Sequence, residues 1–217
     1  MTFDQFLALM DILLGENGCP WDKQQTHESL RKYLLEECYE VVEAINQQDI
    51  PSLKEELGDV LLQVVFHAKL AQKAGNFSIE DVIAGIAGKL VSRHTHVFGT
   101  DTASDAQDVM NIWEANKEKE RAANSSTLAD IPKALPALVR AEKVLKQSKI
   151  AMPEMSVLVE DIKHKLDNLS NACTQIPPNE EFGEVLLQMI TLSKILEVNA
   201  EFSLTNATER FINTFSN

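Results

Sequence analysis

Apolar residues recur at three- and four-residue intervals along most of the chain, and the strict alternation of a strand is nearly absent. Leu34, Leu35, Cys38, Val41, Val42 and Ile45 trace one such stripe, which predicts an amphipathic helix with acidic residues beside it. Ser52-Leu53-Lys54-Glu55 reads as a capping box that opens the next helix, giving Glu55 a structural task. That helix is expected to run to about Ala74, where Gly75-Asn76 stops it. Ser78 and Asp81 cap a third helix, with Phe77 and Val82 placed as a hydrophobic staple. Gly99 to Gln107 reads as a polar loop, and Met110 to Ala123 as a charged helix containing Trp113. Asn124 to Leu128, followed by Asp130-Ile131-Pro132, has the composition of a linker leading into a second helical region. The expected fold class is all-α.

The second region repeats the first. Glu180-Glu181-Phe182-Gly183-Glu184-Val185-Leu186-Leu187-Gln188 lines up with Glu55-Glu56-Leu57-Gly58-Asp59-Val60-Leu61-Leu62-Gln63, Lys194 then matches Lys69, and Phe202-Ser203 matches Phe77-Ser78. Duplication accounts for this better than shared helical composition. Upstream, the best register sets Glu36, Glu37 and Glu40 against His164, Lys165 and Asn168, so the later copy lacks half of the acids. The expected division is residues 1–123 with the intact acids, a linker and connecting helix over 124–146, and a degenerate copy over 147–217.

Those acids are the candidate chemistry. Residues three apart on a helix share a face, so Glu37 with Glu40, and Glu56 with Asp59, each present two carboxylates together. If the two helices pair, four acids converge. Two unit charges about 4 Å apart repel by about 4 kcal/mol at a surface-like dielectric, a cost that a hard divalent cation removes. All-oxygen ligation suits Mg²⁺ or Mn²⁺, and Mg²⁺ commonly completes its shell with water and substrate phosphates. The pattern therefore points to phosphate chemistry.

Composition narrows the partners. A formal charge of −13 repels a nucleic-acid backbone, no block of Lys and Arg offers a local exception, and nucleic acid is not expected as a partner. Cys19, Cys38 and Cys173 are too scattered for a disulfide framework and form no CxxC, which suits a reducing cytoplasm. Asp4 and Asp11 flank or interrupt the apolar Phe6 to Leu14 segment, which is not expected to be a signal peptide. No run reaches the length of a membrane span, so no membrane partner is expected.

Glu36-Glu37-x-x-Glu40 is followed by Glu56-x-x-Asp59, with Gly18-Cys19-Pro20-Trp21-Asp22, Arg93-His94-x-His96-Val97-Phe98, and Asp130-Ile131-Pro132 leading to Leu135-Pro136-Ala137-Leu138. Through these motifs together the chain resembles the MazG family of nucleoside triphosphate pyrophosphohydrolases. The resemblance is strongest over roughly residues 3–146. It implies an all-α bundle built by paired subunits or repeats, so a homodimer, and Mg²⁺-dependent cleavage of nucleoside triphosphates to monophosphate and pyrophosphate. It further implies Glu37, Glu40, Glu56 and Asp59 as metal ligands and Glu36 as a neighbouring acid orienting the attacking water. Lys89 and Arg93 match the family's phosphate-contacting pair, Trp113 matches an aromatic near the nucleotide, and Tyr33 lies beside the acids.

Other readings stay open at this point. Lys89 and Arg93 also suit ordinary surface cations, Trp113 a core or interface position, and His67, His94 and His96 packing or capping. The degenerate second half makes a catalytically weak nucleotide sensor or assembly module the main alternative. A di-iron carboxylate bundle normally wants Glu-x-x-His, whereas Glu40 and Asp59 stand three residues after Glu37 and Glu56.

Overall fold

The computed structural model describes residues 1–123, 125, 127–171 and 179–215. Cys173 lies outside the described residues, as do parts of the expected linker. Every regular element among the described residues is helical. The chain forms two compact units, Met1–Glu118 and Lys119–Asn217.

In the first unit, α1 (Phe3–Leu14) begins at Thr2, whose hydroxyl accepts from the Gln5 N–H while Gln5 returns the bond. A tight turn then brings the chain through a 3-10 segment, Asp22–Gln24. A side chain at Gly18 would meet the Leu13 carbonyl oxygen at 2.1 Å, so this turn requires glycine. Helix α2 (His27–Gln47) starts at a second capping box, Thr26 with Ser29. It ends at Gln48 in the left-handed conformation.

Helix α3 (Ile50–Lys73) follows almost at once. Its cap is Asp49, which accepts from the Ser52 N–H, and Pro51 sits in the first turn, where it breaks no helical hydrogen bond. The expected capping box at Ser52 is therefore corrected: the helix begins earlier, and Ser52 donates its hydroxyl to Asp49 instead of capping. The other end is as expected, with α3 closing at Ala74 and Gly75 taking φ of 75°. Ser78 and Asp81 form the predicted capping box of α4 (Ile79–Arg93). The short α5 (Thr95–Phe98) leads to α6 (Ala106–Ala123), which begins inside the stretch expected to be loop.

The two-residue connection makes α2 and α3 antiparallel, and they form the most extensive helix pair in the unit. Met10, Leu30, Val65, Phe66, Ala68 and Ile79 make its core, drawn from α1 to α4. The predicted stripe on α2 is helical and only part of it is covered: Leu34, Val41 and Val42 are half-buried, whereas Leu35 is 55% exposed and Cys38 and Ile45 are also exposed. Leu30 and Ala44 are the fully buried residues of α2, on the face that also carries Leu34 and Val41. Apolar residues of α3 and α4 are exposed likewise, including Leu57, Leu61, Val64, Ile83, Ile86 and Leu90.

In the second unit, Thr127 caps a 3-10 turn, Leu128–Asp130, that packs on α7 (Ala137–Ser148). Ile131 is buried, so this stretch is packed structure. Helix α8 (Met155–Asn171) packs on α9 (Asn179–Ile195), and α7 packs on both α9 and α10 (Ala200–Phe215). Leu158, Ile162, Val185 and Ile190 are buried there. The Asn199 side chain accepts from the Phe202 N–H at the start of α10, so Ser203, aligned with the capping Ser78, lies inside a helix.

Candidate metal centre and adjoining cavity

Because α2 and α3 run antiparallel, Glu37 lies across from Asp59 and Glu40 across from Glu56. Glu37, Glu56 and Asp59 each bring one carboxylate oxygen to within 4.8 Å of the other two. The Glu40 carboxylate sits against Glu37 and Glu56 and accepts a hydrogen bond from either when it is protonated. Glu36 is exposed and adds its charge to the field at Glu37.

The crowding is visible in proton affinity. Partial burial, the hydrogen bond to Glu40 and the charges of Asp59, Glu40 and Glu36 push the Glu37 carboxyl from 4.5 up to about 7. Glu56 is raised by partial burial and by the charges of Glu40, Glu55 and Asp59. An all-oxygen donor set that holds excess negative charge fits a hard divalent cation. Among the described residues this is the one cluster of at least three such groups, and it contains no histidine.

The second unit places other atoms at the same level. Lys165, aligned with Glu37, forms an ion pair with Glu184, aligned with Asp59. Asn168, aligned with Glu40, donates toward the His164 ring rather than to an acid. An ammonium group thus stands where the first unit has a carboxylate facing a carboxylate.

The remaining site residues fall into two places. Arg93 lies over the Trp113 ring, 5.3 Å from its centroid, and His94 meets the same indole edge-on at 4.9 Å. His94 also closes α4 by bonding the Leu90 carbonyl. Lys89 stands one turn earlier on the Arg93 face of α4. Tyr33 lies on α2 one turn before Glu37 and meets Trp21 edge to face, with centroids 6.0 Å apart. These two rings, with Asp22, Leu30, Gln63 and Phe66, help line a cavity of about 170 Å³ that no acid of the cluster lines; Tyr33 and Gln63 each stand one helical turn from such an acid. Trp21 and Gln63 are not singled out as site residues by the motif reading. The available signal is Gln63 itself, a lone polar residue in an apolar run one turn after Asp59.

The MazG nucleotide pyrophosphohydrolase domain matches residues 25–98, a span that carries every acid of the cluster as well as Gln63, Lys89 and Arg93. The nucleoside triphosphate pyrophosphohydrolase/pyrophosphatase MazG of Thermotoga maritima is 39% identical over 99% of this chain and 84% of its own length. The chain belongs to the MazG family. A second family relative, the nucleoside triphosphate pyrophosphohydrolase of Escherichia coli strain K12, is 40% identical over 98% of this chain and 85% of its own. The uncharacterized protein YabN of Bacillus subtilis is 39% identical over 99% of this chain, which spans 45% of that longer protein. The all-α expectation agrees with the helices described above. Among the described residues, no helix is long and apolar enough to cross a membrane.

Proposed function

We propose that the chain is a metal-dependent nucleoside triphosphate pyrophosphohydrolase whose active centre lies between α2 and α3. The observation that carries this reading is the convergence of Glu37, Glu56 and Asp59 oxygens within 4.8 Å, with Glu40 against them, inside the segment matched by the family. Glu37, Glu40, Glu56 and Asp59 hold the cation, Mg²⁺ or Mn²⁺. When bound, such an ion neutralises phosphate oxygens and acidifies a nearby water.

The protein's own groups position the reactants. Glu36, exposed at the rim, orients the water that attacks the α-phosphorus. The new bond joins that oxygen to phosphorus, the bond to the bridging oxygen breaks, and pyrophosphate leaves. Lys89 and Arg93 stabilise the negative charge on the leaving pyrophosphate. Trp113 enters the substrate-binding set through Arg93, which it holds by a cation–π contact, and Tyr33 contacts the nucleoside side. The exposed apolar faces of α2, α3 and α4 support a homodimer, since contiguous apolar surface of this kind marks an interaction site. The thiols of Cys19 and Cys38, both free, suit a cytoplasmic location.

The test is release of pyrophosphate from nucleoside triphosphates with Mg²⁺. Alanine at Glu37, Glu40, Glu56 or Asp59 is expected to lower turnover at least a hundredfold with helical content intact, while alanine at Glu181 or Glu184 leaves it near wild type. Tight nucleotide binding without turnover in the wild type would favour a sensor. Near-wild-type turnover in the first set would remove the site.

A further inference from the structure

The Gly18-Cys19-Pro20-Trp21-Asp22 turn takes no part in the metal centre, yet hydrogen bonds hold it from both sides. The Cys19 N–H donates to the Leu13 carbonyl and the Lys23 N–H to the Cys19 carbonyl. The Trp21 carbonyl accepts from the Gln24 N–H and from Gln25 Nε2, while Gln25 Oε1 accepts from the hydroxyl of Ser29, a member of the α2 capping box. What this turn presents is an indole, since Trp21 is 51% exposed. A large aromatic side chain fixed half in solvent forgoes much of its burial energy, and a planar partner recovers it.

The surroundings suit a nucleobase. Tyr33 meets the indole edge to face, a contact that occupies at most one indole face. The Lys32 ammonium lies over the Tyr33 ring, 4.5 Å from its centroid, so the tyrosine serves as a wall and the indole remains the open platform. Met10, Leu30, Leu62 and Phe66 give the adjoining cavity apolar walls. Tyr33 stands one turn before Glu37, and the two ring centroids are 6.0 Å apart. With about 5.4 Å per helical turn, the indole lies on the order of 10 Å from that carboxylate, a gap that the ribose and α-phosphate of a nucleotide bridge. The second repeat lacks these aromatics together with the acids. Both tryptophans of the chain, Trp21 and Trp113, precede it, and Asp161 stands at the Tyr33 position in the register that sets Lys165 against Glu37.

We propose that Trp21 is the residue on which the nucleobase stacks, with Tyr33 bounding the edge of the base. The proposal rests on the nucleoside triphosphate reading and adds the residue that holds the base. Every base has a π-face, so the contact accepts all four, and the larger purine rings gain most from it.

The test compares kcat and KM for ATP, CTP, GTP, UTP and base-free ribose 5′-triphosphate in the wild type, Trp21→Leu and Trp21→Phe, with a melting curve for each. Loss of the stack in Trp21→Leu is expected to raise KM about tenfold for ATP and GTP and less for CTP and UTP, with a much smaller change in kcat. KM for ribose triphosphate stays the same, and Trp21→Phe recovers most of the nucleotide affinity. An equal rise for ribose triphosphate, which reports a displaced turn, or no rise for the nucleotides overturns the proposal. If the wild type turns over none of these compounds, the catalytic reading fails separately. The same ratios, measured then as Kd by calorimetry, decide the stacking contact, and absence of nucleotide binding overturns it.

Discussion

Replacing Glu37 with Gln removes one negative charge from a cluster that is costly without a cation and productive with one, so its effect on stability changes sign with metal. The carboxyl's rise from 4.5 to about 7 means that the folded protein binds more protons than the unfolded chain between those values. Stability of the metal-free wild type therefore falls as pH rises through that window, and the loss is complete above about pH 7. Oxygens up to 4.8 Å apart repel by about 1 kcal/mol per pair in water-like surroundings and by about 3 kcal/mol at an effective dielectric near 20. The site is only partly buried, so the lower figure is the appropriate one after solvent screening. For a unit of this size, about 1 kcal/mol moves the melting point by roughly 4 °C. In EDTA at pH 8, Glu37→Gln is expected to melt about 4 °C above the wild type by circular dichroism, and near pH 4 the two coincide. Excess Mg²⁺ raises the wild-type melting point through binding to the folded state and raises the variant's much less. A variant that melts lower in EDTA at pH 8, or shows the full Mg²⁺ response, would refute the reasoning.

Phe66→Ala opens the core of the first unit and is expected to cost about 3–5 kcal/mol; calorimetry should show that unit's transition moving down while the second unit's stays. Lys165→Glu sets a second carboxylate against Glu184 in place of the ammonium that pairs with it. The variant should lose second-unit stability in EDTA and regain part of it with Mn²⁺, whereas unchanged melting in EDTA would deny that Lys165 offsets acidic charge. Gly58 lies in α3 with open space where a side chain would stand, so helix propensity alone predicts that Gly58→Ala stabilises by up to about 1 kcal/mol. If a second copy packs closely there, the variant instead dissociates in light scattering.

Much of the fold is legible because helices announce themselves locally. Ser78 with Asp81 and the stop at Gly75 need no knowledge of the rest of the chain, and both stand as expected. The start of α3 is less legible because two overlapping cap patterns compete: Asp49 wins over Ser52, since Pro51 is well placed in a first turn. The apolar stripe of α2 is real, but periodicity marks a face to be covered and does not say by what; here Leu35 and Ile45 stay uncovered within one chain. The four acids are legible because spacing by three fixes a shared face on each helix, and only the register between helices had to come from the fold. Gln63 and Trp21 required the three-dimensional arrangement, since the cavity joins α2, α3 and the turn before them and no motif spans all three.

In the proposed function, α2 and α3 together clasp a divalent-cation centre through Glu37, Glu40, Glu56 and Asp59. Its most direct measurement is titration of Mn²⁺ followed by electron paramagnetic resonance in the wild type, Asp59→Asn and Glu184→Gln. Saturable binding is expected in the wild type, with loss of that binding in Asp59→Asn and retention in Glu184→Gln. Equal Mn²⁺ binding by the wild type and Asp59→Asn would contradict it.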